Sequence, residues 1–119
     1  MVAKESVSIN YRLNIQLKIQ PLYTETLFNE ILPYTLENWG AVIMVEFLKE
    51  INTRILKLYS MPDANPKNKY LVSTTTKIYR NIIFSKYPYV IVYLVNKNMV
   101  TVLNIIHQSR NPRSHKELI

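Results

Sequence analysis

Residues 89–95 are apolar at every position, and this run constrains the fold more than any other feature of the chain. A strand that is apolar on both faces must be covered on both sides, which predicts a central strand rather than an exposed edge. Asn96-Lys97-Asn98 follows as a tight turn, in which asparagine tolerates a positive φ. Residues 99–106 are then the returning strand, so this part of the chain is predicted to be an antiparallel hairpin inside a sheet.

Two other segments alternate apolar and polar residues, as half-buried strands do. Residues 7–19 form the first of them, and Gln20-Pro21 ends it because proline cannot donate to a strand ladder. Residues 77–84 form the second, and residues 70–75 before it are predicted to be a short strand. One face of the second segment carries Ile78, Arg80, Ile82 and Phe84.

A helix is predicted over residues 22–38, with Thr24 as its N-cap and Trp39-Gly40 as its end. Gly40 suits the left-handed position that commonly follows a helix. Pro33 lies inside the pattern, and it is expected to kink or split the helix because it removes a hydrogen bond. The apolar stripe of this helix consists of Leu27, Ile31 and Tyr34.

A second helix is predicted over residues 41–60, because apolar residues recur there at spacings of three and four. The link between the two helices is short, which predicts an antiparallel hairpin. Residues 61–69 are predicted to be a loop, since proline, aspartate and asparagine disfavour regular structure there. The apolar stripe of the second helix consists of Val45, Leu48, Ile51, Ile55 and Leu58.

These elements predict one α+β domain with two layers. Its order is an N-terminal strand, an antiparallel helix hairpin and a three- to four-stranded antiparallel meander. The domain is expected to span residues 1–119, because 119 residues is a common size for a single domain. Residues 1–12 and 113–119 are expected to be loosely ordered tails.

The net charge of +7 comes from fifteen Lys and Arg against eight Asp and Glu. Such a surplus attracts nucleic acid, an anionic membrane or an acidic protein, or it serves solubility alone. Cysteine is absent, which excludes disulfides and thiolate chemistry, and the sequence has neither a metal-binding motif nor a glycine-rich phosphate loop. No signal-peptide-like segment begins the chain, and its longest apolar run falls far short of the ~20 residues needed to cross a bilayer. We therefore expect a cytoplasmic protein with no membrane partner, no cofactor and no metal.

Two stretches of the sequence resemble the RelE/ParE superfamily of toxins from bacterial type II toxin–antitoxin systems. Residues 79–93 are similar to the family's arginine-led strand, which is followed by an aromatic-Pro-Tyr element and an apolar strand that ends in tyrosine. Residues 102–112 are similar to its closing strand, which runs into His-x-x-Arg and then proline. Gln20-Pro21 and Trp39 also stand where such toxins place similar residues, so the resemblance spans about residues 13–112.

The resemblance implies the toxin fold of this superfamily and a cognate antitoxin whose acidic residues meet the positive charge. RelE-like members are ribosome-dependent mRNA endonucleases that stabilise a phosphorane with basic side chains, whereas ParE-like members poison DNA gyrase. The positions that correspond to the basic set hold Asn81, Ile83 and Val90, and an apolar side chain cannot stabilise developing negative charge. The sequence therefore favours a ParE-like toxin. The alternatives are an mRNA endonuclease with an altered basic set and a non-toxic, nucleic-acid-binding relative.

The candidates for target binding are Arg80, Tyr89, His107, Arg110 and Arg113. His107 and Arg110 are also the candidates for catalysis, because histidine exchanges protons near neutral pH and the arginine guanidinium binds phosphate. Each candidate has a structural alternative. Arg80 would form an ion pair, Tyr89 would be a core aromatic residue, His107 would be hydrogen-bonded at a strand end, and the two remaining arginines would belong to a solvated tail.

Overall fold

The computed structural model describes residues 14–109, and all structural statements below concern that part of the chain. Four strands and two long helices make up its regular structure. The strands are β1 (Gln16–Ile19), β2 (Lys77–Ile83), β3 (Tyr89–Asn96) and β4 (Met99–His107). Helix α1 runs through Pro21–Thr26, the π-helical turn Leu27–Ile31 and Leu32–Trp39, and helix α2 is Ala41–Leu56 followed by the 3₁₀ turn Lys57–Tyr59.

The strands form one mixed sheet in the order β1-β4-β3-β2. Strands β2, β3 and β4 make the antiparallel meander that the sequence predicts. Strand β1 pairs with β4 in parallel, with Gln16 opposite Met99 and Ile19 opposite Val102. The sheet therefore closes on one side with the first strand beside the last, an arrangement that the alternation of the first strand alone does not specify.

Strand β3 lies between two neighbours, so the prediction of a central strand is confirmed. Its alternate side chains enter two separate apolar clusters, one beneath the helices and one on the opposite face of the sheet. The helix-side cluster contains Tyr93, Phe47 and Ile51, all fully buried. The opposite cluster contains Val92 and is closed in part by Leu71, which follows the loop of residues 61–69, called the long loop below.

Helix α1 begins at Pro21, so the prediction of Thr24 as its N-cap is wrong. Proline is favoured at the first helical position because the N–H that it lacks would have had no partner inside the helix. Pro33 does coincide with a break in the hydrogen-bond pattern, because the five-residue π turn ends just before it and the N–H of Leu32 bonds to the carbonyl of Leu27. Helix α1 nevertheless continues past Pro33 without a break, so the prediction of a split is wrong, and the hydrogen-bond pattern changes from π- to α-helical beside the proline instead.

Gly40 separates the two helices and serves both. Its N–H donates to the carbonyl of Leu36 at 3.1 Å, and its carbonyl accepts the N–H of Met44 at 3.1 Å. Its φ of 91° and ψ of 167° are not the compact left-handed conformation that the sequence predicts. They belong to a region that is essentially restricted to glycine, so this residue fixes where α1 ends and α2 begins.

Residues 70–75 are not a strand, contrary to the prediction from the sequence. The side-chain oxygen of Asn68 accepts the N–H groups of Tyr70 and Leu71 at 2.8 and 3.0 Å, which turns the backbone away from an extended path. The outer edge of β2 pairs instead with the end of the loop. The N–H of Asn68 donates to the carbonyl of Tyr79 at 2.8 Å, and the N–H of Asn81 donates to the carbonyl of Pro66 at 2.9 Å.

Three smaller predictions are also corrected. Val45 and Tyr34 are 44% and 54% exposed rather than buried in the core, whereas Phe47, which the predicted stripe omits, is fully buried. The hairpin turn between β3 and β4 has its positive φ at Lys97 rather than at an asparagine. Strand β1 begins at Gln16, and the earlier part of the predicted strand, residues 7–13, lies outside the described residues.

Within residues 14–109, no helix is both long enough and apolar enough to cross a membrane.

Candidate functional site

A cleft of about 760 Å³ lies between the helix hairpin and the end of the sheet where β3 begins and β4 ends. The turn before β3, which contains Lys86, Tyr87 and Pro88, forms one wall. Helices α1 and α2 form the opposite wall. Their contributions are Thr26, Glu30, Ile31, Tyr34, Thr35, Trp39, Ile43, Glu46 and Phe47, and the strands add Tyr89, Ile105, Ile106 and His107.

Stacked aromatic rings form one side of the cleft. The ring of Phe47 lies 4.2 Å from that of Tyr87 and 5.6 Å from that of Tyr89, with interplanar angles of 29° and 22°. The ring of Phe84 meets Phe47 edge-on at 5.5 Å. Such stacked and edge-on pairs stabilise each other beyond the apolar area that they bury. The cleft wall is therefore preorganised by contacts between α2 and the β2–β3 connection.

His107 lies directly across the sheet from Tyr89, and their rings meet at 80° with centroids 5.4 Å apart. Nδ1 of His107 accepts the backbone N–H of Ser109 at 3.1 Å and lies 2.7 Å from the Ser109 hydroxyl. A backbone N–H can only donate, so Nδ1 carries a lone pair and the proton of the neutral ring is on Nε2. In this arrangement the Nε2–H of His107 is a hydrogen-bond donor, and Nδ1, the nitrogen that accepts a hydrogen bond, is already bonded to the N–H of Ser109.

The cleft also carries charge of both signs. Glu30 comes from the π turn of α1 and Glu46 from α2, and Lys86 lies on the opposite wall. Desolvation, with smaller contributions from the carboxylates of Glu46 and Glu50, raises the pKa of the Tyr87 hydroxyl. Burial, with a smaller contribution from Tyr34, also raises the pKa of Tyr89. Both tyrosines therefore remain neutral hydrogen-bond donors at physiological pH.

Arg80 lies elsewhere. It is in register with Tyr93, four residues along β3 from Tyr89, which corresponds to about 13 Å along the strand. Its Nη1 donates to the carbonyl of Asn65 at 2.7 Å, and its Nε is 3.9 Å from a carboxylate oxygen of Asp63. The side chain is only 16% exposed. These contacts bind the long loop to β2, as expected of the structural alternative for Arg80.

A second tether holds the same loop. The hydroxyl of Tyr93 donates to the carbonyl of Pro62 at 2.7 Å and accepts from the side-chain amide of Asn65 at 3.1 Å. Arg54 reaches the loop from α2, with Nη1 donating to the carbonyl of Ile83 at 3.1 Å and Nη2 lying 3.4 Å from the side-chain oxygen of Asn65. Two arginines and a buried tyrosine thus converge on Asn65, away from the cleft.

Comparison with known proteins identifies the family. The family model described as the ParE toxin of the type II toxin–antitoxin system, parDE, matches residues 25–112, most of the chain. The chain belongs to this ParE toxin family. A solved structure, the chromosomal ParDE TA system from P. aeruginosa, contains a chain with a TM-score of 0.62 and 12% identity. The match covers 81% of this chain and 97% of that chain, and at this identity it shows a shared fold. A search of curated proteins found no match.

These findings confirm the ParE-like resemblance and the α+β fold that the sequence predicts. Membership of a toxin–antitoxin family also implies an antitoxin partner. The three positions that the sequence interpretation compared with the basic set of the RNases, Asn81, Ile83 and Val90, have different surroundings. Asn81 accepts the side-chain amide of Asn68 at 2.9 Å, Ile83 is 46% exposed on β2, and Val90 is buried on the sheet face away from the helices.

Of the five target-binding candidates, the structure brings Tyr89 and His107 together in the cleft and places Arg80 at the loop. Arg110 and Arg113 lie outside the described residues, so their roles stay predictions, as do those of the other three. The sequence interpretation missed Phe47, Glu30 and Glu46. The four-residue spacing of Phe47, Ile51 and Ile55 is a signal for the first of these, whereas no local pattern marks the two glutamates.

Proposed function

We propose that this ParE family member is a cytoplasmic toxin that binds and poisons DNA gyrase and is held inactive by its cognate antitoxin. The observation that carries the proposal is the match of residues 25–112 to the ParE toxin model. That match includes most of α1, all of α2, the meander and every residue that lines the cleft. Growth inhibition on expression without the antitoxin is the direct consequence.

The chemistry of the cleft supports gyrase over messenger RNA as the target. Cleavage of RNA by this superfamily requires positive charge aimed at the phosphorane. The described residues that line the cleft include only two basic side chains, Lys86 and His107, beside two carboxylates. Nδ1 of His107 already accepts a backbone N–H, so it is not available as a general base in this geometry. Arg54 donates a hydrogen bond to the carbonyl of Ile83, and Arg80 donates one to the carbonyl of Asn65. Both arginines therefore bind the protein's own backbone outside the cleft.

Exposed apolar residues support neutralisation by a partner. Tyr34 and Trp39 line the cleft and are 54% and 64% exposed, and Val42 at the helix turn is 71% exposed. Large exposed apolar side chains that lie together mark an interaction site in soluble proteins. An amphipathic antitoxin helix that lies in the cleft between the helix hairpin and the sheet would cover these side chains.

Expression in a host, with and without the neighbouring gene's product, tests the proposal. Expression alone should stop growth and induce the DNA-damage response, and the purified protein should increase gyrase-dependent DNA breaks on a supercoiled plasmid. Co-expression should restore growth. Cut messenger on translating ribosomes, with no gyrase-linked breaks, would instead support the endonuclease alternative. Normal growth with neither lesion would identify a relative that has lost toxicity.

A further inference from the structure

The cleft contains negative charge that the described part of the chain does not neutralise. Glu30 and Glu46 both line it, although the chain has only eight acidic residues against fifteen Lys and Arg. Neither glutamate has an ion-pair partner among residues 14–109. Lys86 lines the same cleft without coming within ion-pair distance of either carboxylate. A basic protein thus presents two exposed carboxylates in this cleft, neither with an ion-pair partner among the described residues.

A third carboxylate lies one helical turn beyond Glu46. Glu50 interacts electrostatically with Tyr87, and its Oε2 is buried without a hydrogen-bond partner within the described residues. An unpartnered carboxylate oxygen is costly, because it has lost water without gaining a donor. Glu50 does not line the cleft itself, but it adds negative charge to the side of α2 beside Tyr87.

The surroundings of the two cleft glutamates suit a long basic side chain on an apolar segment. Ile31, Ile43 and Ile105 provide aliphatic contacts. The faces of Trp39 and Tyr34 are exposed beside them and attract ammonium or guanidinium groups. The volume of about 760 Å³ lies within the ~300–1,000 Å³ of sites that enclose most of a small ligand, so the cleft holds a few side chains rather than a whole domain.

We propose that the cleft binds a Lys or Arg from the apolar face of an antitoxin helix, with the cationic group placed between Glu30 and Glu46. This inference rests on the proposed function, because the antitoxin is the occupant. It differs from the expectation based on net charge. A total of +7 attracts an acidic partner from a distance, whereas the two exposed carboxylates favour a local positive charge in the docked complex.

The test uses the purified product of the neighbouring gene as the binding partner. Glu30→Gln and Glu46→Gln keep the size of the side chain and remove its charge. Each should raise the Kd at least 10-fold, mainly through faster dissociation, and the increase should diminish at high salt. Glu25→Gln and Glu37→Gln are the matched controls, because both lie exposed on α1 and do not line the cleft. The controls should leave dissociation unchanged.

The direction of the effect separates local pairing from general electrostatics. If only the net charge matters, all four substitutions make the toxin more basic and bind an acidic partner equally well or more tightly. If the wild-type toxin binds the antitoxin and all four variants bind it as well or more tightly, the inference is overturned and the proposed function is left intact. No complex with the wild-type protein, together with normal growth on expression, would overturn the proposed function itself. Thermal melts of each variant show whether it is folded. In a charge swap, an antitoxin whose cleft-binding Lys or Arg is changed to Glu should bind the wild-type toxin weakly and the Glu46→Lys toxin more tightly.

Discussion

Replacing Arg80 by alanine distinguishes a structural from a target-binding role for this residue. The substitution removes the bond from Nη1 to the carbonyl of Asn65, a charge-assisted hydrogen bond at 2.7 Å that contributes about 1.5–3 kcal/mol. The contact with Asp63 adds little, because the atoms are 3.9 Å apart and the Asp63 side chain is 43% exposed. We therefore expect Arg80→Ala to lower the free energy of unfolding by about 2–3 kcal/mol.

For a domain of this size, a loss of about 2–3 kcal/mol lowers the Tm by roughly 6–18 °C. Thermal melts followed by circular dichroism measure the change, and hydrogen exchange of the Asn68 and Asn81 amides reports whether the loop leaves β2. Arg80→Lys should recover only part of the stability, since an ammonium group cannot reproduce the geometry of the guanidinium. Lys77→Ala, on the same strand but exposed, is the control.

The opposite result would refute this reasoning. If Arg80→Ala melts with the wild-type protein and its loop amides stay protected, the loop does not depend on Arg80. If the same variant also fails to inhibit growth while still binding the antitoxin, Arg80 contacts the target, as the sequence interpretation predicts. A destabilised variant whose toxicity returns at low temperature would support the structural role alone.

Three further predictions follow from the described contacts. Tyr93→Phe removes the hydroxyl that donates to Pro62 at 2.7 Å and should cost about 1–3 kcal/mol in a denaturant titration, because a buried carbonyl loses its donor; full stability would show that water replaces the hydroxyl. Gly40→Ala should cost about 1–3 kcal/mol despite open space around Cβ, since φ is 91°; an unchanged Tm would contradict the strain. Burial raises the pKa of Tyr23 to about 12, so the stability from its neutral form is complete below pH 10 and is lost as the pH rises towards 12. Tyr23→Phe should flatten that alkaline decline, and an identical decline in the variant would assign it to other groups.

The sequence predicts the elements whose burial shows in the pattern of apolar residues. Residues 89–95 become the core of β3, and the hairpin with β4 turns within the predicted Asn96-Lys97-Asn98 segment. The second helix is also found, but the predicted stripe includes Val45, which is exposed, and omits Phe47, which is fully buried. Both residues are apolar and two positions apart, so the pattern alone does not decide which one faces the sheet. The packing of Phe47 against Tyr87 and Tyr89 decides it.

Non-local pairing explains the remaining differences. The parallel contact of β1 with β4 joins residues more than eighty positions apart, and nothing in residues 16–19 encodes that neighbour. The cleft likewise combines α1, α2 and the meander, so the meeting of Tyr89 and His107 depends on strand register. Asn68 shows how a single side chain overrides local preference. Two N–H groups bond to its amide oxygen, and residues 70–75 lose the extended path that their sequence favours.

The positions of the candidates suggest how neutralisation and toxicity are linked. Tyr89 and His107, predicted to contact the target, lie in the wall of the cleft proposed for the antitoxin. An antitoxin helix that pairs with Glu30 and Glu46, as proposed, would therefore cover both residues and would neutralise the toxin by direct competition for the same surface. Arg80 lies about 13 Å away along the sheet, outside the cleft lining. Substitutions in the cleft should consequently change antitoxin affinity and target binding together, whereas Arg80→Ala should act through stability.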